Sequence, residues 1–335
     1  MGTVAIDARD ARGPQLRGWG RYTLELVRAL RRLGEIDLLE LDEGGPGPEL
    51  LWEQIGLPLA LKRRGAALVH GPNCFLPLRR SCPGVVTVHD LAFEDHPEDF
   101  ASLTGWKYRT FTPRCARSAE RVICVSEYTR LDLCKRYGVD PARTRTILSA
   151  PSLPLGETPP PPGPYLLAVG DLRRKKNLVR LASAFGRLRR EGLPHRLVLA
   201  GLDAGEGTAI RTAAAGAPVE LTGYVDDDRL DALMRGADLL VYPSLYEGFG
   251  LVIVEAMARG CPVAAADATA LPEAAGGAAA LFDPLDVDAM AATIRGVLED
   301  DELRTGMVAR GLARAAELSW DRTAELTAAV YRELA

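Results

Sequence analysis

Cysteine, histidine and aromatic residues are sparse in this sequence, and what is missing narrows the field first. The 335 residues include six cysteines (Cys74, Cys82, Cys115, Cys124, Cys134, Cys261), scattered without a C-x-x-C pair or a histidine at metal-ligand spacing. That pattern argues against a zinc ribbon or a disulfide scaffold and fits reduced thiols in a cytoplasmic protein. No apolar run is long enough to span a bilayer. The opening Met1-Gly-Thr-Val-Ala-Ile-Asp has neither the basic flank nor the apolar stretch of a signal peptide, so the expected location is the cytoplasm. Neither sign of charge dominates: 41 Lys and Arg face 45 Asp and Glu, a net −4 that gives no support to a nucleic-acid partner. The balance, 47% apolar and 26% charged, is that of an ordinary soluble protein, and the length is comfortable for two domains.

Short apolar runs alternate with amphipathic stretches, the pattern of a parallel sheet covered by helices. In the first half strands are expected at Val4–Ile6, Ile36–Leu39, Ala67–His70, Val85–Val88 and Val122–Val125, with a helix from Tyr22 to Leu33. Between Ser149 and Pro164 the chain reads S-A-P-S-L-P-L-G-E-T-P-P-P-P-G-P, which can continue neither a helix nor a central strand and predicts an extended, stiff linker. The alternation then restarts, with strands expected at Tyr165–Gly170, Leu197–Gly201, Val219–Gly223, Asp238–Tyr242 and Pro262–Ala266. The expected organisation is an α/β chain of two parallel-sheet domains, 1–150 and 165–315, joined by 151–164. They would face each other across a cleft, with ligands at the carboxyl ends of the strands. A last helical stretch, about 316–335, needs a surface to pack on.

The most informative segment is P-S-L-Y-E-G-F-G-L-V-I-V-E-A-M-A-R-G-C-P-V, from Pro243 to Val263. A strand ends near Tyr242, Glu247-Gly248-Phe249-Gly250 makes a glycine loop, and a helix runs from Leu251 towards Gly260. Such a junction presents free N–H groups and the positive end of a helix dipole, which suits a phosphate. Glu247 and Glu255 could then accept from hydroxyls on either side of a bound diphosphate. The competing reading makes Glu247 a helix cap and Glu255 an exposed helix residue. It is weakened because Glu255 lies among Val252, Ile253, Val254, Ala256 and Met257, where a carboxylate needs a partner. A second element, Gly170-Asp-Leu-Arg-Arg-Lys-Lys-Asn177, follows the strand ending at Val169. Its four consecutive cations, Arg173 to Lys176, could clamp a diphosphate or form a solvated basic loop, and Asn177 should cap the next helix.

Other signals carry less. Asp226-Asp-Asp228 and Asp286-Val-Asp288 have the D-x-D spacing of a metal–nucleotide motif, but each precedes a helical pattern and reads as a cap. Gly18-Trp-Gly20 lacks the third glycine of a dinucleotide fingerprint, since Thr23 stands there. His89 directly follows an apolar strand and should lie at the cleft edge, unless it is a satisfied structural histidine. His70 has a similar position and a poorer case. Arg28, Arg31, Arg32, Lys62, Arg63 and Arg64 make the first domain locally basic, either a solvated face or a weak peripheral contact with an anionic membrane.

Taken together, these segments resemble glycosyltransferase family 4, the retaining, mannosyltransferase-like group 1 transferases of GT-B fold. Glu247 to Glu255 matches the family's E-x7-E pattern. Further matches are G-Y-V-D-D-D-R-L from Gly223, L-P-E-A-A-G from Leu271, S-W-D-R-T from Ser319, G-W-G-R-Y-T from Gly18, H-G-P-N from His70, T-V-H-D-L-A-F from Thr87 and V-S-E-Y-T-R from Val125. The resemblance spans the chain and implies two Rossmann-like domains, with the final helix crossing back onto the first. It implies that Glu247 meets the donor sugar, that the backbone of Phe249 and Gly250 meets the sugar or distal phosphate, and that Glu255 binds the ribose. Lys176 and Lys175 would hold the diphosphate. Gly170, Gly223, Tyr224, Gly248 and Leu251 would complete the nucleotide-sugar site, with His89, Gly18 and Gly20 on the first domain near the reacting sugar and the acceptor. His89, Lys176 and Glu247 are the candidate catalytic groups.

The implied reaction moves a mannose- or glucose-type hexose from a GDP- or UDP-sugar to a saccharide, lipid-linked or metabolite acceptor. It proceeds with retention and without cofactor or metal, at the inner face of the membrane or in the cytoplasm. Asp171, where many relatives carry arginine, shifts the burden of the clamp to the lysines, and Val252 replaces a common proline. An epimerase on the same scaffold, or a nucleotide-sugar sensor without transferase activity, would share the donor residues. The oligomeric state and the acceptor are not written in these motifs.

Overall fold

The computed structural model describes all residues except 1, 13–15, 17, 43–48 and 335. The chain divides into two compact units, Met1–Ala150 with Leu318–Ala335, and Pro151–Glu317. Each is built on one six-stranded parallel sheet.

In the first unit the strands are β1 (Val4–Asp7), β2 (Leu38–Leu41), β3 (Leu68–Gly71), β4 (Gly84–Val88), β5 (Arg121–Cys124) and β6 (Thr144–Thr146), in the spatial order 2-1-3-4-5-6. β1, β3, β4 and β5 are almost wholly buried, as strands covered on both faces must be, and they are the apolar runs visible in the sequence. The two edge strands are less legible. β2 begins two residues later than its apolar pattern suggests, with Ile36 in a bend and the Asp37 carbonyl accepting the Val4 N–H at 2.8 Å. β6 has only the sequence Thr-Arg-Thr, too short and polar to stand out.

The helix Gly18–Leu33 turns Tyr22, Leu26, Val27 and Leu30 inward. Against it lies the final helix, Trp320–Arg332, capped by Ser319. Trp320 meets Tyr22 edge-on at 5.5 Å, and Thr323 Oγ1 donates to the Leu148 carbonyl at 2.8 Å. Buried Tyr331 places its hydroxyl 2.6 Å from His70 Nδ1, while His70 Nε2 lies 2.9 Å from Thr87 Oγ1. Burial drives the His70 pKa down to about 3, so it is a neutral bridge between the sheet and this helix.

The second unit contains β7 (Tyr165–Val169), β8 (Arg196–Ala200), β9 (Val219–Gly223), β10 (Leu239–Tyr242), β11 (Val263–Ala266) and β12 (Ala280–Phe282), in the order 12-11-10-7-8-9. Counted within the unit this is 6-5-4-1-2-3, the Rossmann order. β12 has no sequence signal, since Leu281 is exposed and only Phe282 is buried. Asp226 and Asp286 do cap the helices Asp227–Gly236 and Val287–Glu299, accepting from the N–H of Arg229 and from those of Asp288 and Ala289. Residues 151–164 carry neither helix nor strand.

Candidate active site

Strand order decides where a ligand can sit in the second unit. β7 and β10 are paired neighbours whose connections leave in opposite directions, and this switch point opens a crevice at their carboxyl ends. Gly170 to Lys176 follows β7, and Pro243 to Gly250 follows β10. The two loops are stitched together by backbone. The Leu245 N–H donates to the Lys175 carbonyl at 2.7 Å. Asn177 adopts a left-handed conformation, and its buried side-chain amide donates to the carbonyls of Pro243 (3.1 Å) and Pro284 (2.7 Å). It therefore occupies the cap position of the helix Leu178–Arg190 without capping it, a correction to its expected role. Its Oδ1, the atom that would cap, accepts instead from Arg180 Nη1 at 2.9 Å.

The stitching brings two expected residues into contact. Lys176 Nζ lies 2.5 Å from Glu247 Oε1 and 2.7 Å from the Tyr242 hydroxyl, and 5.0 Å from the centre of the Tyr242 ring. Ser244 Oγ and the Tyr242 hydroxyl also donate to Glu247 Oε1, at 2.6 and 3.0 Å. Burial alone would raise the Glu247 pKa, but the charges of Lys176 and Lys175, with hydrogen bonds from Lys176 and Ser244, bring it down to about 2. Burial and the Glu247 charge hold Tyr242 well above the usual tyrosine range, so it remains a donor. Gly170 allows the pairing. It sits at φ +137°, and a Cβ there would lie 3.0 Å from Lys176 Cε. Thr269, which the sequence reading missed, accepts the Glu247 N–H at 3.0 Å while itself held at φ +52°. A β-branched residue in that region is strained, the kind of cost that functional loops carry.

The loop ends at Gly250, which occupies the N-cap of the helix Leu251–Met257 at φ +107° with no side-chain cap. Glu247 is therefore not the cap, and Glu255, only 5% exposed, is not an exposed helix residue. Glu255 has the partners its apolar surroundings demand: the N–H groups of Ser152 and Leu153, and the Arg259 guanidinium at 2.9 Å. Phe249 is buried, whereas Tyr224, just beyond Gly223 at the end of β9, is exposed. Among the described residues no cluster of three His, Cys, Asp or Glu side chains is arranged to hold a metal ion.

In the first unit, His89 follows β4 and is half-buried, with Nε2 2.7 Å from the Pro72 carbonyl. Nε2 must therefore carry the proton. Burial lowers the His89 pKa against the opposing pull of that carbonyl and of Asp90. Gly18 opens its helix in an exposed position. Gly20 is buried, and a Cβ there would lie 2.5 Å from the Asp10 carbonyl oxygen, so its visible role is helix packing. The switch point of this unit, between β1 and β3, carries a polar cavity that the sequence reading passed over. Arg9 grips Asp7 through both carboxylate oxygens, Asn73 donates to Asp10 at 2.8 Å, and Lys107 bridges Glu49 and Glu53. The available signal was a charged residue, Asp7, directly at the end of an apolar strand.

Comparison with known proteins bears on the family and the fold. Residues 156–314 match the family described as Glycosyl transferases group 1, and residues 16–149 match Glycosyltransferase Family 4. O-antigen chain mannosyltransferase B of Escherichia coli is 30% identical, over 95% of this chain and 97% of its own. The MMP alpha-(1->4)-mannosyltransferase of Mycolicibacterium hassiacum is 29% identical, over 89% and 79%. Among solved structures, sucrose-phosphate synthase from Thermosynechococcus elongatus superposes with a TM-score of 0.75 at 22% identity, covering 100% of this chain and 99% of that one. Anabaena HepE in complex with UDP-glucose also gives 0.75, at 20% identity and full coverage of both chains. The fold is GT-B.

Proposed function

We propose a specific reaction for this chain, which belongs to the group 1 glycosyltransferases of family 4 and is a hexosyltransferase. It transfers a hexosyl group, mannosyl in the first instance, from a GDP- or UDP-sugar to a saccharide acceptor, with retention of configuration and without a metal. The observation that carries this reading is the half-buried Lys176–Glu247 pair at the switch point of the second sheet. Mannosyl transfer is supported by the two mannosyltransferases that align along most of this chain, and UDP-hexose by the ligand of HepE.

The roles follow from charge and position. Lys176, with Lys175 beside it, stabilises the diphosphate, whose negative charge grows as the glycosidic bond breaks. Glu247, held ionised, accepts hydrogen bonds from sugar hydroxyls, and Tyr242 and Ser244 keep its carboxylate oriented. Glu255 binds the ribose. Gly170, Gly223, Tyr224 and the backbone from Gly248 to Leu251 complete the donor site. The nucleotide leaves on the face from which the acceptor attacks, with no protein nucleophile, and neutral His89 with Gly18 and Gly20 serves the acceptor side.

The protein works in the cytoplasm, at the inner face of the membrane when its acceptor is lipid-linked. No helix among the described residues is long and apolar enough to cross a bilayer. Peripheral contact is better supported at Lys62, Arg63 and Arg64 than at the earlier arginines. All six cations are exposed, but Arg28, Arg31 and Arg32 are paired with Glu25, Glu40 and Asp321. The three later cations follow a stripe of exposed Leu51, Ile55 and Leu59, giving basic and apolar groups together.

Thermal shifts with UDP, GDP, ADP and dTDP and their sugar conjugates, with and without a chelator, test the donor site. A nucleotide at a hundred times its Kd should add about 2.7 kcal/mol to the stability, indifferent to chelator. No shift with any nucleotide would refute the donor site, and a shift abolished by chelator would refute the metal-free reaction.

A further inference from the structure

The proline-rich segment reads in sequence as a spacer, yet side chains of the second unit hold its backbone. Glu255 Oε1 accepts from the N–H groups of Ser152 (2.5 Å) and Leu153 (2.8 Å). Arg259, in the turn after the helix Leu251–Met257, donates to the carbonyls of Leu153 and of Pro154, the latter at 3.2 Å. Farther along, the Gly156 N–H donates to Asp231 at 3.1 Å and the Glu157 N–H to Asp228 at 2.7 Å. Arg235 bonds both Asp231 (2.6 Å) and the Thr158 carbonyl (2.7 Å).

Arg259 is the centre of this array. Its side chain is 4% exposed, with Nε 3.0 Å from Asp231 Oδ1 and Nη1 2.9 Å from Glu255 Oε2. Asp231 is fully buried. Charges so deep are tolerated only when paired and hydrogen-bonded, and a guanidinium alone has enough fixed donors to serve two carboxylates and two carbonyls at once. Glu255 therefore cannot change position without disturbing Arg259 and the backbone at 152–153.

We propose that Arg259 is a positioning residue for nucleotide binding: backed by Asp231, it fixes the Glu255 carboxylate for the ribose hydroxyls and makes residues 152–158 part of the nucleotide-binding unit. This rests on the reading that Glu255 meets the ribose, and it makes the site selective for ribonucleotides over deoxyribonucleotides.

The test compares the affinities of UDP, GDP and their 2′-deoxy counterparts for the full chain, for Arg259→Met and for Arg259→Lys, with hydrogen exchange followed at Ser152 and Leu153. The wild-type protein should favour the bound ribonucleotide about tenfold or more, the worth of one hydrogen bond to a charged group. Arg259→Met should bring that preference to within about twofold with the deoxynucleotide affinity little changed, and Arg259→Lys should restore part of it. Exchange at Ser152 and Leu153 should quicken in Arg259→Met. An intact preference in Arg259→Met, or an equal fall for both nucleotides, overturns the positioning role. Unchanged exchange overturns the backbone staple. A wild-type protein that binds both nucleotides equally refutes the ribose role of Glu255 instead. If Arg259→Met does not fold, Arg259→Lys carries the same comparison, with a reduced preference expected and an intact one overturning the role.

Discussion

Replacing Lys176 with methionine keeps the length of the side chain and deletes its charge, leaving Glu247 half-buried without its nearest cation. Removing one partner of a buried pair typically costs about 3–5 kcal/mol. Tyr242 and Ser244 still donate to Glu247, and Lys175 still acts on it electrostatically, so the lower end, about 3 kcal/mol, is expected. The titration of Glu247 gives the same scale. A fall from 4.5 to about 2 corresponds to roughly 3 kcal/mol, at about 1.36 kcal/mol per pH unit. In the wild-type protein the folded pKa lies below the unfolded one, so this stability is present above about pH 4.5 and is lost as pH falls towards 2. In Lys176→Met the sign reverses: burial without the cation raises the folded pKa, and protonation then favours the folded state. The stability gap should therefore be widest at pH 7 and narrower at pH 5. Urea unfolding of both proteins at the two pH values measures it, and Lys176→Met/Glu247→Gln should recover much of the loss. A gap below about 1 kcal/mol at pH 7, one that does not narrow at pH 5, or strict additivity in the double variant would refute the pair's role. Kinetically, kcat should fall more than the donor KM rises, because the leaving-group charge is greatest in the transition state. A change in KM alone would make Lys176 a binding group only.

Two further substitutions probe the supports. Gly170→Ala introduces a Cβ against the Lys176 stem at a backbone angle that L side chains rarely adopt, so it should cost about 1–3 kcal/mol. Transfer should slow with it, and wild-type kinetics in this variant would show that Lys176 needs no such clearance. Tyr331→Phe removes the hydroxyl that pairs with buried His70 and should lower the stability of the first unit by about 1–3 kcal/mol. Denaturant unfolding together with hydrogen exchange along Trp320–Arg332 checks this, and unchanged values would mean that the bond does not hold that helix.

What the sequence revealed and what it hid divide mostly by burial, although the half-exposed edge strand β9 was legible too. Central strands such as β3, β4, β10 and β11 are buried on both faces, so each had to be a continuous apolar run, and each was legible. Edge strands β6 and β12 are half exposed and needed no such run. Glu247 and Lys176 could be singled out because each sits in a loop directly after an apolar strand, where local spacing carries the information. Their contact could not, because the two stand 71 positions apart and meet only when the chain folds so that β7 and β10 become neighbours. The same holds more strongly for Glu255. Its apolar helix announced that a partner was needed, but the partners are backbone N–H groups of Ser152 and Leu153, about a hundred positions away and independent of side-chain identity. Backbone donors leave no residue-type signature, so proline content could show that 151–164 lacks helix and strand, but not that carboxylates hold it. Arg259 was hidden for a related reason. An arginine near a helix C-terminus is the ordinary way to complement a helix dipole, and only its burial against Asp231 and Glu255 separates it from that common case.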